Sequence, residues 1–272
     1  MTTTAFARPG LAPLVAEATF IKRSLIHTLR TPDALIMAIA LPVVLMLLFT
    51  FVFGGAIDGE GQYVNYVVPG IILLCAGFGA ASVANDVAND MTTGIIDRFR
   101  TMPLRATAVI TGHVVASLLR NLVATVVVIG VALAVGFRPN ASPLEWQAML
   151  GLVALYILAI TYLFAAIGLA ASSPEAAGLA ASSPEAAGGY GFILMFLPYL
   201  SSAFVPVDTM PEWLRWISNN QPLTPIIETI RGLLLGTDIG SSGWLALMWC
   251  GIILAVAVVW ASILFRVKAG RR

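Results

Sequence analysis

The stretch ALIMAIALPVVLMLLFTFVFGGAI, residues 34–57, contains 24 consecutive residues without Asp, Glu, Lys or Arg. A bilayer core about 30 Å thick needs about 20 helical residues at about 1.5 Å each, so this stretch is long enough to cross a membrane. Its residues are apolar on every side rather than at alternate positions, whereas a strand of a membrane barrel would alternate. An α-helix also satisfies its own backbone hydrogen bonds in lipid. The stretch therefore predicts a transmembrane helix.

The rest of the chain repeats this pattern of long apolar runs. Four more charge-free windows are long enough to span, at residues 61–85, 146–174, 186–207 and 239–265. A further stretch, residues 106–137, is interrupted only by Arg120. If this span is entered near Ile110, Arg120 lies in its first half, where an arginine can snorkel towards the headgroups. The fold class predicted is an all-α polytopic membrane protein with six transmembrane helices.

The overall composition favours a membrane protein over a soluble one. Of the 272 residues 59% are hydrophobic and 11% are charged, and the mean hydropathy is +0.91. A soluble domain of this size has roughly a quarter of its residues charged. Cys75 and Cys250 both fall inside apolar runs, without the spacing of a disulfide framework or a metal site. We interpret both cysteines as small hydrophobic residues of helices.

The distribution of Lys and Arg predicts the orientation in the membrane. Eleven of the 15 lie before the first span, between the second and third spans, or in the tail, while one, Arg120, is within a span. The opposite side carries only Arg138, Arg215 and Arg231. Cytoplasmic loops are enriched in Lys and Arg. We therefore predict a multi-pass protein of the cell membrane with both termini in the cytoplasm.

Two regions outside the spans carry helical patterns. Residues 1–33 are predicted to be a cytoplasmic N-terminus whose segment 12–31 forms an amphipathic interfacial helix, and residues 34–272 form the membrane domain. Before the last span, about residues 209–236, two short outer-side helices are predicted. The signals are a capping-box spacing of Thr209 and Glu212 with Pro211 between them, a start at Thr224–Pro225, a stop at Gly236, and Trp213 and Trp216 at headgroup depth.

A tandem repeat follows the fourth span. The sequence GLAASSPEAA occupies residues 168–177 and again 178–187. Solenoid folds need three or more repeats, so a short duplication in a cytoplasmic connection is the simpler interpretation. We expect it to be structurally neutral.

Polar residues near the second and third spans are the candidate sites. Asp86 and Asp90 lie four residues apart on one helix face and could form a proton or cation site or a polar cytoplasmic gate. The alternative is a solvated helix end. His113 and Arg120 are seven residues apart and share a face, so His113 could also relay protons.

The sequence lacks residues that several classes of enzyme need. The lysines, Lys22 and Lys268, do not follow glycine, so there is no P-loop for a nucleotide, and no catalytic set is recognisable. The sequence predicts a non-catalytic subunit that binds no cofactor and no metal of its own.

Two segments resemble a known family. Residues 92–112, TTGIIDRFRTMPLRATAVITG, and residues 201–236, SSAFVPVDTMPEWLRWISNNQPLTPIIETIRGLLLG, are similar to type-2 ABC exporter permeases. Within them the chain looks most like the branch that exports daunorubicin-type antibiotics and other hydrophobic compounds. The resemblance implies a coupling helix at about 94–104 that docks on an ATPase subunit. Its contact residues would be Gly94, Ile95, Asp97, Arg98, Phe99, Arg100, Met102 and Pro103.

The resemblance also implies the partners. These are a cytoplasmic ATPase chain that binds ATP and Mg, a second permease copy, the lipid bilayer and a hydrophobic small-molecule substrate, with no nucleic acid. One alternative keeps the fold and exports a lipid-linked polysaccharide. Another is an ion-coupled carrier that uses Asp86 and Asp90. The duplicated segment is a departure from the family, whose members usually have one copy.

Overall fold

A computed structural model of the chain describes residues 32–57, 62–92, 107–171 and 196–270. The predicted amphipathic helix over 12–31 lies outside the described residues. So do the predicted coupling residues of segment 94–104 and all of the tandem repeat beyond Ala171.

Every regular element of the described residues is helical, which confirms the all-α fold class. A π-helical stretch, Leu48–Phe53, joins the first two helices into one continuous rod. The helices are α1 (Pro32–Leu47), α2 (Gly54–Ile57), α3 (Tyr63–Thr92), α4 (Thr107–Val135), α5 (Pro143–Ala171), α6 (Glu212–Asn219), α7 (Leu223–Leu235) and α8 (Ser242–Gly270).

Five helical segments are long and apolar enough to cross a membrane. They are Ile39–Ala56, Tyr63–Met91, Ile110–Val135, Pro143–Ala171 and Ser242–Phe265. These segments coincide with the first four predicted spans and the last. The third apolar segment begins at Ile110, the entry point that the sequence analysis considered for this span.

The fifth predicted span, residues 186–207, is described only from residue 196 onward. There the chain forms two short 3-10 helices, Leu197–Leu200 and Val207–Thr209, with turns between them. The hydroxyl of Ser201 donates to the carbonyl of Pro198 at 2.5 Å, which closes a tight turn instead of continuing a helix. A continuous α-helix up to residue 207 is therefore wrong, and the total of six spanning helices stays a prediction.

The helix α3 is the centre of the bundle. It packs against α1, α4, α5 and α7, and 78% of the residues in an 18-residue apolar stretch of its span are buried. In the corresponding stretches of the first and last spans only 17% are buried. Apolar side chains of α1 and α8, such as Val44 and Val256, therefore face outward, as expected for helices in contact with lipid.

The helices α3 and α5 approach each other closely at Gly168. A side chain at this position would overlap the backbone of Ala84, including its carbonyl oxygen. Small residues let membrane helices come this close and gain van der Waals contact. Gly168 is also the first residue of the duplicated decapeptide, so the first copy begins inside the packed bundle.

The two short helices predicted before the last span are present as α6 and α7, but one start signal is wrong. The residue before α6 is Pro211, and the hydroxyl of Thr209 donates to the carbonyl of Pro206 at 2.7 Å rather than capping the helix. The predicted stop at Gly236 is confirmed, since this glycine has φ +73° and its N–H donates to Gly232.

The helices α6 and α7 differ in burial. Trp213 and Trp216 of α6 are exposed, which suits aromatic residues at an interface. In contrast α7 is packed between α3, α5 and α8, with Ile226, Ile227 and Ile230 fully buried. It is a core helix and not the surface helix expected from its sequence, because its apolar residues extend around most of its circumference.

Candidate functional site: polar contacts between the second and third spans

A line of polar side chains runs along the face of α4 that meets α3. His113, Ser117, Asn121 and Thr125 follow one another at intervals of four residues, so they lie on one helix face. Ser117, Asn121 and Thr125 are buried. Asn121 Nδ2 donates to Ser117 Oγ at 3.1 Å, and Ser117 Oγ lies 3.4 Å from Thr161 Oγ1 of α5. The interface between these spans is therefore polar in the middle of an apolar bundle.

Asp90 and His113 form a contact between the two helices. The distance from Asp90 Oδ2 to His113 Nε2 is 3.0 Å, and the side chains are only 13% and 16% exposed. Asp90 is therefore in contact with the next span rather than freely solvated, while Asn85 and Asn89 of the same helix end are exposed. His113 therefore has a carboxylate partner, which comes from the preceding span.

Arg120 makes a second contact between the same two helices. Its Nη2 donates to the carbonyl oxygen of Gly79 at 2.8 Å and to Ser82 Oγ at 2.5 Å. The residue is only 8% exposed, so it turns inward instead of snorkelling to the headgroups as the sequence suggested. Asp86, one helical turn beyond Ser82 on α3, lies close enough to stabilise the guanidinium charge. Buried hydrogen bonds and a nearby carboxylate offset the cost of an arginine at this depth.

Gly79 is what allows this contact. A side chain there would overlap the carboxamide of Asn121, which is fully buried. The missing side chain lets α3 and α4 approach until Arg120 reaches the Gly79 carbonyl. The candidate gate residues Asp86 and Asp90 are therefore part of one polar seam, which we define as Ser82, Asp86, Asp90, His113, Ser117, Arg120 and Asn121.

A second polar cluster lies at the opposite end of α3 and is centred on Arg231 of α7. Its Nη2 donates to the carbonyls of Tyr66 at 3.0 Å and Ser202 at 2.8 Å, and its Nη1 lies 2.7 Å from Glu228 Oε1. The guanidinium carbon lies 3.9 Å from the centre of the Tyr66 ring. Arg231 is 7% exposed, although the sequence suggested an ordinary outer-side charge.

Aromatic side chains surround this cluster of Arg231, Glu228 and Tyr66, which we call the outer cluster after the side that the sequence predicts for Arg231. The hydroxyls of Tyr63 and Tyr66 donate to the carbonyls of Phe204 and Ser202 at 2.6 and 2.9 Å. Phe204 in turn stacks on Phe49 and Tyr199, with ring centres 4.4 and 5.1 Å apart. The irregular segment after residue 200 therefore has its carbonyls satisfied by side chains, as backbone at membrane depth requires.

A small pocket of about 10 Å³ lies between α3 and α5. Gly77 is buried, yet a side chain added there would meet nothing within 4 Å. The lining is apolar and aromatic, with the Tyr156 hydroxyl as its one polar side-chain group. The lining residues are Leu74, Gly77, Phe78, Tyr156, Ile160, Phe164 and Pro198.

Sequence reasoning missed the outer cluster and the pocket. Arg231 was counted only as a loop charge, although an arginine within the run TPIIETIRGLLLG is a signal of burial with a partner. The pocket has no comparable signal, because its residues come from separate helices. The eight predicted coupling residues, from Gly94 to Pro103, lie outside the part of the chain that the structure describes.

A bundle of apolar spans with two short helices before the last span is typical of a polytopic membrane protein, and comparison with known families identifies its class. The ABC-2 type transporter family matches residues 17–235, which is most of the chain. The chain belongs to this family, and it is a membrane-spanning permease subunit of an ABC transporter.

Individual relatives cover most of both chains. The daunorubicin resistance ABC transporter permease protein DrrB1 of Streptomyces coeruleorubidus is 28% identical over 85% of this chain and 79% of that protein. The probable doxorubicin resistance ABC transporter permease protein DrrC of Mycobacterium tuberculosis is 24% identical over 84% of this chain. A putative transport permease, ycf38, of Cyanophora paradoxa is 29% identical over 78% of this chain.

Proposed function

We propose that this chain is the permease half of an exporter that moves hydrophobic antibiotics or similar compounds out of the cell, with ATP hydrolysed on a separate chain. The observation that carries the proposal is the similarity to drug-resistance permeases over more than four fifths of the chain. Two permease copies and two ATPase subunits would form the working unit, with both permease termini in the cytoplasm. ATP and Mg would bind to the ATPase subunits.

The polar seam counts against the ion-coupled carrier that uses Asp86 and Asp90. Asp90 is held by His113, and Asp86 stabilises Arg120. A carboxylate that carries a proton or cation through each cycle has to exchange partners with water or the ion. Asp90 instead has a basic partner on α4, which suits a contact between helices.

The first test is to purify the tagged chain from native membranes and identify the proteins that come with it. We expect an ATPase to co-purify with the unaltered chain and to be lost from Phe99→Glu and Met102→Glu. A carboxylate in an apolar docking contact is desolvated without a partner, which weakens binding by about 2 kcal/mol or more, roughly thirtyfold.

Leu144→Glu is the matched control for these variants. Leu144 is 74% exposed at the start of α5, at the other end of the bundle, so the same change there should keep the ATPase. A stable chain without any ATPase partner would contradict the exporter and favour the carrier. An ATPase retained by both Phe99→Glu and Met102→Glu would place the coupling contact elsewhere.

The pocket between α3 and α5 is our candidate for a substrate contact. Drug-sized ligands occupy mostly apolar and aromatic pockets of about 300–1,000 Å³, so this pocket of about 10 Å³ would contact only one group of such a molecule. Phe78, Tyr156 and Phe164 offer ring faces, and the Tyr156 hydroxyl offers a hydrogen bond. These groups match a planar, apolar compound with a polar substituent.

Filling the pocket is therefore expected to reduce transport. In Gly77→Leu the new Cβ meets nothing within 4 Å and the rest of the side chain enters the pocket, so we expect about tenfold less ATP-driven daunorubicin transport into inside-out vesicles, since one blocked apolar contact is worth about 1–3 kcal/mol. Gly130→Leu is the control, because Gly130 is exposed on α4 and a side chain there also meets nothing within 4 Å. Unchanged transport by Gly77→Leu would exclude the pocket from the substrate path.

A further inference from the structure

The Asp90–His113 contact lies at the base of a helical hairpin. Asp90 is two residues before the end of α3 at Thr92, and His113 is six residues after the start of α4 at Thr107. The chain between these helix ends, residues 93–106, contains the predicted coupling segment. The contact therefore joins the two helices that enter and leave that segment.

The hairpin is held at a second level by Arg120. From His113 to Arg120 is seven residues, so the two contacts are about 10 Å apart along the helix axis. One contact alone would let α3 and α4 pivot or slide past each other. Two contacts at different levels, Asp90 with His113 and Arg120 with Gly79 and Ser82, hold both the register and the rotation.

The groups that face this contact are few within the described residues. The described part of α4 has no charged group other than His113 and Arg120, and α3 contributes Asp86 and Asp90. On the side of α5, Thr161 Oγ1 lies 3.4 Å from Ser117 Oγ of the seam, and Tyr162 packs against the apolar cluster that includes Val87 and Val114. Asp90 and His113 are thus both largely removed from water and directed at each other, which makes their hydrogen bond stronger than an exposed one.

We propose that Asp90 and His113 are positioning residues that make α3 and α4 move as one body when the ATPase moves the coupling segment. The inference rests on the proposed function, because it needs an ATPase that acts on residues 93–106. With the contact intact, a displacement of the segment is passed along both helices to the outer cluster, where the Tyr66 carbonyl meets Arg231. Without it the two helix ends separate, and part of the displacement is lost in opening the hairpin.

The test measures substrate moved per ATP hydrolysed by the purified complex of the full chain and its ATPase, reconstituted in vesicles, with daunorubicin as probe. Asp90→Ala and His113→Ala are expected to keep the ATPase bound and hydrolysing but to move about tenfold fewer molecules per ATP, the scale of one lost charge-assisted hydrogen bond. Asn85→Ala is the matched control, since Asn85 is exposed on the same helix. Asp90→Asn, which keeps a hydrogen-bonding group, should retain most of the ratio.

A reversible cross-link separates positioning from a simple loss of stability. In a background with Cys75→Ala and Cys250→Ala, the pair Asp90→Cys and His113→Cys should transport poorly per ATP, recover with a short bifunctional thiol cross-linker, and fall again on reduction. A ratio unchanged in both alanine variants overturns the proposal, as does a cross-linked pair that stays uncoupled. If the alanine variants do not accumulate, the cysteine pair measured with and without the cross-link carries the same comparison. An unaltered complex without ATP-driven transport refutes the proposed function instead.

Discussion

Replacing Arg231 by alanine is expected to destabilise the protein by about 3 kcal/mol and to lower its unfolding temperature by roughly 6–12 °C. The guanidinium donates to the carbonyls of Tyr66 and Ser202 and lies over the Tyr66 ring. Removing it leaves two carbonyls without this donor in a buried region. The helix α7 would then lose its main polar connection to α3 and to the irregular segment around residue 202.

The measurement is thermal unfolding of the detergent-solubilised chain, followed by the fraction that remains monodisperse. Arg215→Ala is the matched control, because Arg215 of α6 also donates to two backbone carbonyls, those of Asp208 and Met210, but is exposed. Its loss should cost less than about 1 kcal/mol, as water replaces the bonds. Arg231→Lys should be intermediate, since an ammonium cannot reproduce the planar fork over Tyr66. Equal losses from Arg231→Ala and Arg215→Ala would refute the role of burial.

The second large effect is expected at Gly168. In Gly168→Leu the new side chain overlaps the backbone of Ala84, and no rotamer of a neighbour can relieve a clash with backbone. The helices α3 and α5 must separate, at a cost of about 3 kcal/mol or more, with loss of the smaller apolar contacts on both sides of the crossing. Gly168→Ala should be affected in the same direction but less strongly.

Gly151→Leu is the control for this prediction, to be compared by yield and unfolding temperature. Gly151 lies on the same helix, is exposed, and has nothing within 4 Å of an added side chain. Leucine has a higher helix propensity than glycine by about 0.8 kcal/mol, so this variant should be neutral or slightly more stable. A Gly168→Leu protein as stable as Gly151→Leu would show that α3 and α5 do not cross closely.

The sequence pattern predicted some features of the polar seam and not others. The spacing of Asp86 and Asp90, and of His113 and Arg120, correctly indicated that each pair shares a helix face. It did not indicate that the two faces meet, because the His113 partner is 23 residues away on another helix. Arg120 was expected to reach the headgroups, since no sequence signal showed that Gly79 opens a way to a backbone carbonyl.

The sequence alone determined the helical class and the positions of five spans. This was possible because each span depends on its own residues: a backbone in lipid has to satisfy its hydrogen bonds within the segment, and a run without charges marks where that happens. Local start and stop signals likewise predicted α6 and α7 and the end of α7 at Gly236.

Three features depend on the tertiary structure and could not be read from the sequence: which helix is central, which charges are buried, and where the chain departs from a helix. Rotation of each helix about its axis determines whether Arg231 faces water or the Tyr66 carbonyl, 165 residues away in sequence, and packing by neighbours selects that rotation. The end of the fifth predicted span was apolar enough for a helix but forms turns, because Tyr63, Tyr66 and Arg231 satisfy its carbonyls from other helices. Contacts of this kind are set by the arrangement of the whole bundle.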